Sequence, residues 1–144
     1  MKQNLLCVLA LSGLCAVWSG SLQAQTYGLR VRIPFEFAVG EKTAPAGEYV
    51  VSYHPSGLVR FQDSSGANSL VAMALMSSSN QNKGGPALIF NRYGERRFLA
   101  EIFGGSGKAT MKFHKSRAER DASKQSPGPA QQVPIESIPA ASRP

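Results

Sequence analysis

The chain has 144 residues, 16 of them Lys or Arg against 9 Asp or Glu, with two cysteines and 42% apolar residues. That length suits one modest domain with extensions and excludes two independent cores. No apolar stretch reaches the roughly 20 residues of a membrane-spanning helix, and both cysteines, Cys7 and Cys15, lie near the N-terminus, away from any disulfide framework or Cys-based metal site.

Residues 1–24 read as a secretory signal peptide. Lys2 supplies a basic start, Leu5 to Trp18 is apolar apart from Ser12 and Gly13, and small and polar residues follow to Ala24. The expected cleavage lies between Ala24 and Gln25, although Leu22 is larger than the small residue usual at that position. A leucine immediately before each of Cys7 and Cys15 argues against lipidation. The expected location is secreted or periplasmic, with no transmembrane segment after processing. The remaining chain carries 15 basic and 9 acidic residues. Outside the cytoplasm this balance points to anionic lipid or acidic polysaccharide, and export argues against nucleic acid.

From residue 27 to residue 115 the pattern predicts a β-domain. Leu29, Val31, Ile33, Phe35 and Phe37 alternate with Arg30, Arg32, Pro34 and Glu36, which predicts one strand with an edge or bulge at Pro34. Gly40–Gly47 reads as a turn segment with Pro45 at a first central turn position. Strands follow at Glu48–His54, with Tyr49, Val51 and Tyr53 on one face, and at Leu58–Gln62. Ser69–Met76 is apolar on both faces and predicts a central strand covered on each side. Ser77–Pro86 is a polar loop. Ala87–Tyr93 and Arg96–Phe103 form the strongest hairpin signal, with Gly94-Glu95 as a type II′ turn. A last strand is expected at Ala109–Phe113. Ser116-Arg117-Ala118-Glu119 reads as a capping box opening a short helix over 116–124. Residues 125–144 hold five prolines and few apolar residues, and the expectation is a disordered tail. The predicted fold is all-β, a small antiparallel sandwich or barrel of about seven strands.

Chemistry is sparse. His54 and His114 are the two histidines, and zinc takes three or four protein ligands, so no metal site is expected. A hydrolase would need a site assembled from scattered strand residues. The candidates are His54, Glu101, the further carboxylates Glu36, Glu41 and Glu48, and the two aspartates Asp63 and Asp121. Gly104–Ala109 superficially resembles a phosphate loop, but Ile102 stands where its first glycine belongs and Ala109 where Ser or Thr would bind magnesium. No cofactor is implied.

The hairpin tip carries the sharper expectation. The Gly94-Glu95 turn sets Arg92 opposite Arg97, a destabilising like-charge pair, with Tyr93 and Arg96 beside it on the other face. Arg92, Tyr93, Arg96 and Arg97 are therefore the candidate ligand-binding residues, for a carboxylate, a phosphate or a sugar acid. The apolar surplus of Ser69–Met76 and the hairpin leaves open ordinary core, a pocket for a small apolar ligand, or a dimer contact.

The strings Val31-Arg32-Ile33-Pro34-Phe35-Glu36-Phe37, Pro45-Ala46-Gly47-Glu48-Tyr49, Asn91 to Ile102 and Ser116 to Arg120 resemble a group of small, uncharacterised secreted proteins of environmental bacteria. That resemblance implies an exported β-rich domain and carries over no activity or catalytic residue. The function expected is an exported, non-enzymatic β-module that binds an anionic envelope component or a small apolar ligand. The alternatives are the scattered-site hydrolase and a structural envelope protein tethered by its tail.

Overall fold

The computed structural model describes residues 27–77, 84–105, 109–126 and 128–138. The expected leader, its cleavage point at Ala24 and Gln25, the middle of the Ser77–Pro86 loop, residues 106–108 of the glycine-rich connector, residue 127 and residues 139–144 lie outside them. The described residues are mostly strand with one helix, wound into a nearly closed barrel. In chain order the strands are β1 (Tyr27–Ile33), β2 (Phe37–Val39), β3 (Lys42–Ala44), β4 (Gly47–Tyr53), β5 (Leu58–Asp63), β6 (Ser69–Met73), β7 (Leu75–Ser77), β8 (Ala87–Tyr93), β9 (Arg96–Phe103) and β10 (Thr110–Lys112). Helix α1 (Arg117–Gln125) and β11 (Gln131–Ile138) complete the chain.

Nine strands follow the order β3-β2-β9-β8-β11-β1-β4-β5-β6, and β10 pairs with both β9 and β7. Because β7 continues β6 after Ala74, the β7–β10–β9 pairing turns the open path back on itself. Every pairing is antiparallel except β2 with β9.

The count exceeds the expected seven strands for identifiable reasons. Pro34 lacks an N–H, and the first strand ends there, so Phe37 begins a separate strand. β1 lies between β11 and β4, so the expected edge or bulge at Pro34 is corrected to a strand end. Part of the Gly40–Gly47 segment extends as β3, joined to β2 by a tight turn at Gly40 (φ +64°) and Glu41.

Ser69–Met76 is not one covered central strand. It bends at Ala74, and its outward side chains are exposed, Met73 by 65%. The bend is fixed by a close backbone approach. Ala74 N–H donates to the Gly57 carbonyl at 2.8 Å. A Cβ on Gly57, which has φ +87°, would collide with the Ala74 carbonyl oxygen.

The largest correction concerns the tail. Residues 131–138 form β11, inserted between β8 and β1 with Gln131 to Glu136 in register against Arg92 to Ala87. Val133 and Ile135 pack against the core while Pro134 and Glu136 are exposed. Two inward branched side chains and two backbone ladders offset the ordering entropy that its composition alone cannot.

The barrel interior is filled by side chains. Phe37, Phe61, Phe90, Ile33, Leu88, Ile102 and Met111 are all less than 2% exposed. Phe37 makes edge-to-face contacts with Tyr49 at 5.3 Å and with Phe90 at 5.5 Å. A second, smaller cluster lies outside the barrel, where Ala122 and Ala118 of α1 pack on Tyr93, Phe98 and Ala38. These alanines let the helix approach the sheet closely, and so account for the hairpin being apolar on both faces. A register shift between Ile89 and Phe90 leaves Ala100 as an extra residue in β9, and its carbonyl accepts from Phe113 N–H at 2.8 Å.

Candidate functional site

The β8–β9 tip folds as its turn residues dictate. Gly94 has φ +58°, no non-glycine residue among the described residues has positive φ, and Tyr93 pairs with Arg96, which together describe a two-residue type II′ turn. Arg92 stands directly opposite Arg97. Both follow the parity of the inward residues Leu88, Phe90 and Leu99, so they continue the interior stripe out to one mouth of the barrel. Phe35 packs below them. Its ring meets Phe90 edge-on at 5.3 Å and lies 4.7 Å beneath the Arg97 guanidinium.

The like charges are held there by the turn itself. Arg92 Nε donates to the Gly94 carbonyl at 2.8 Å, and Arg97 Nη1 donates to the Glu95 carbonyl at 3.1 Å. The Glu95 carboxylate reaches Arg92 at 3.5 Å but is itself 89% exposed, a pairing that solvent screens heavily. These contacts leave most guanidinium N–H groups of both arginines without a protein acceptor among the described residues. Gln131 of β11 lies in register beside Arg92, so a row of three long polar side chains crosses the mouth.

Tyr93 and Arg96 belong to the opposite face. Tyr93 is 5% exposed under α1, and its hydroxyl donates to Glu119 Oε1 at 3.4 Å. Arg96 stacks over Phe98 at 5.1 Å. The four candidate residues thus divide by face: half-buried Arg92 and Arg97 at the mouth, and buried Tyr93 with exposed Arg96 on the side of the helix.

That contact contains a group the sequence did not reveal. Glu119, read as half of a capping box, is 3% exposed and accepts from Asn91 Nδ2 at 2.9 Å. Ser116 caps the helix as expected, its Oγ accepting from Glu119 N–H at 3.1 Å. Glu41 accepts from the Arg117 N–H at 2.7 Å, tying the β2–β3 turn to the start of α1. No local signal links residues 76 positions apart in sequence.

Glu48, Glu101 and Asp63 have structural partners. Glu48 pairs with Arg32 at 3.5 Å and Arg30 at 3.9 Å, and Glu101 with Lys112 at 3.2 Å. His54 Nδ1 contacts Ser56 Oγ at 3.0 Å and accepts from Ser56 N–H at 3.3 Å within one exposed turn. Asp63 organises the β5–β6 loop. The side-chain hydrogen bonds from Asn68 and then Ser65 hold its carboxyl below the usual aspartate range. Burial, and then the nearby Asp63 charge, push the Tyr49 phenol up.

A cleft of about 200 Å³ lies between the β2–β3 turn, the hairpin tip and α1. Glu36, Glu41 and Glu95 outnumber Arg96 and Arg97 in its lining, so the cleft itself does not attract anions. Among the described residues, no three His, Cys, Asp or Glu side chains group as a metal site would require, and no helix is long and apolar enough to cross a membrane.

Comparison of the chain with family models, with curated proteins and with solved structures gives no match.

Proposed function

We propose that the protein is an exported, non-enzymatic β-module that binds an anionic component of the cell envelope, with Arg92 and Arg97 as the recognising pair. One observation carries this reading: two arginines opposed across a two-residue turn, tied to backbone carbonyls that fix their geometry and leave N–H groups over for a ligand. Opposed cations raise each other's energy, and an anion between them removes that penalty. Guanidinium forks recognise carboxylate or phosphate by paired N–H donors.

The side chains filling the barrel interior favour this surface reading over a small apolar ligand held inside. The hydrolase reading is weakened because Glu48, Glu101 and His54 are each engaged in local structural contacts. Signal-peptide features at residues 1–24 support export, and a mass beginning at Gln25 for protein recovered from a host periplasm would check it.

The test is co-sedimentation with vesicles of zwitterionic lipid, with and without anionic lipid, and with beads bearing an acidic polysaccharide. Binding to either anionic material is expected, and it identifies the phosphate or carboxylate source. Arg92→Glu with Arg97→Glu should weaken that binding at least tenfold while leaving the fold intact. Equal binding by the charge-reversed variant would remove the proposal.

A further inference from the structure

Six of the seven large apolar side chains that stand exposed among the described residues lie on β4 to β7: Val50, Leu58, Val71, Met73, Leu75 and Met76. Exposed apolar side chains gathered on neighbouring strands, rather than scattered singly, mark an interaction surface. The patch adjoins an open sheet edge. β6 pairs with β5 on one side and has no strand on the other among the described residues, since β10 meets the bent chain only beyond Ala74.

The combination restricts what covers it. An open edge presents unpaired N–H and C=O groups, so an acyl-chain environment would leave those groups unsatisfied, whereas a β-strand satisfies them. The edge segment Ser69-Leu70-Val71-Ala72-Met73 has no charge, no proline and no bulge, and so lacks the usual devices that prevent edge pairing.

We infer that β6 is the dimer contact, pairing antiparallel with β6 of a second copy across a two-fold axis at Val71. The segment is complementary to itself in that register. Val71 meets Val71, Ser69 meets Met73, and Leu70 meets Ala72, so each large side chain outside the axis faces a smaller one and no like charges oppose. Arg60, in register with Val71 on β5, lies in the same row. The two copies of Arg60 stand three strand spacings apart, about 14 Å, beyond the roughly 8 Å over which physiological salt leaves such repulsion strong. This inference is independent of the arginine tip.

The test is disulfide capture. In protein recovered from a host periplasm, with Cys7 and Cys15 replaced by serine, Val71→Cys supplies the only thiol. Antiparallel partners at the axis have Cα atoms about 4.5–5.5 Å apart, within disulfide reach. Val50→Cys, also exposed but roughly 24 Å from its copy by strand spacing, is the control. At micromolar concentration Val71→Cys should link at least tenfold faster than Val50→Cys. The unmodified chain should sediment as a concentration-dependent dimer, and Val71→Lys should raise its dissociation constant at least tenfold. Equal linking by the two cysteine variants, or a monomer throughout, overturns the inference. So does a monomer that sediments with lipid vesicles and loses that property in Val71→Lys, which would assign the face to lipid.

Discussion

Arg97 shows how a residue can be structural and available at once. Its guanidinium lies over Phe35, which itself plugs the barrel mouth against Phe90, so the charge is positioned by the core beneath it. The opposition to Arg92 was legible in the sequence because a two-residue turn fixes register. The placement of Tyr93 on the other face was legible too, but its burial there was not, because that depends on α1 covering the face. Asp63 gives a residue-scale prediction. Its folded carboxyl is lowered by Asn68 and Ser65, so the stabilisation is present above the unfolded value and is lost as pH falls through the folded value. Asn68→Ala should raise the Asp63 midpoint toward the usual aspartate range in a carboxyl-detected NMR titration. A midpoint that stays put would mean that this hydrogen bond does not hold the loop.

At the scale of elements, β4, β5, the β8–β9 hairpin and α1 follow directly from alternation, turn residues and a capping serine. What the sequence concealed was continuity. The alternation through Leu29 to Phe37 runs across Pro34 without showing the break, and the apolar run Ser69–Met76 hides a bend whose cause, the Gly57–Ala74 approach, is not local. β11 was hidden for the opposite reason. Pro134 and the flanking Ser-Pro-Gly-Pro sequence obscure a short alternation of Val133 and Ile135 that matters only because β8 and β1 leave a slot for it. A free tether therefore cannot begin before Ile138. Truncation after Ala130 should cost on the order of 4–8 kcal/mol, from lost apolar burial and two lost ladders. That is comparable to the whole stability of a domain. The truncated chain should lose cooperative thermal unfolding by circular dichroism; a melting temperature within a few degrees of the intact chain would show β11 to be dispensable.

For the whole molecule, the decisive feature is that the barrel spends its interior on packing. Aromatic and aliphatic side chains fill it, so recognition falls to the surface, and the two distinctive surfaces lie apart in character: a charged mouth at Arg92 and Arg97, and an apolar edge at β6. The proposed anion contact and the proposed dimer contact use separate surfaces, and antiparallel pairing of β6 across a two-fold axis would point the two arginine tips in opposite directions. The proposed function places anion recognition at that mouth. It is tested most directly by an NMR titration of the isotope-labelled chain with inorganic phosphate and with a soluble uronic acid. The account predicts shifts concentrated at the side chains of Arg92 and Arg97 and the backbone of Gly94 and Glu95, absent when both arginines are reversed in charge. Shifts centred instead on inward residues such as Phe61 and Phe90, or none at the tip at saturating anion, would contradict it.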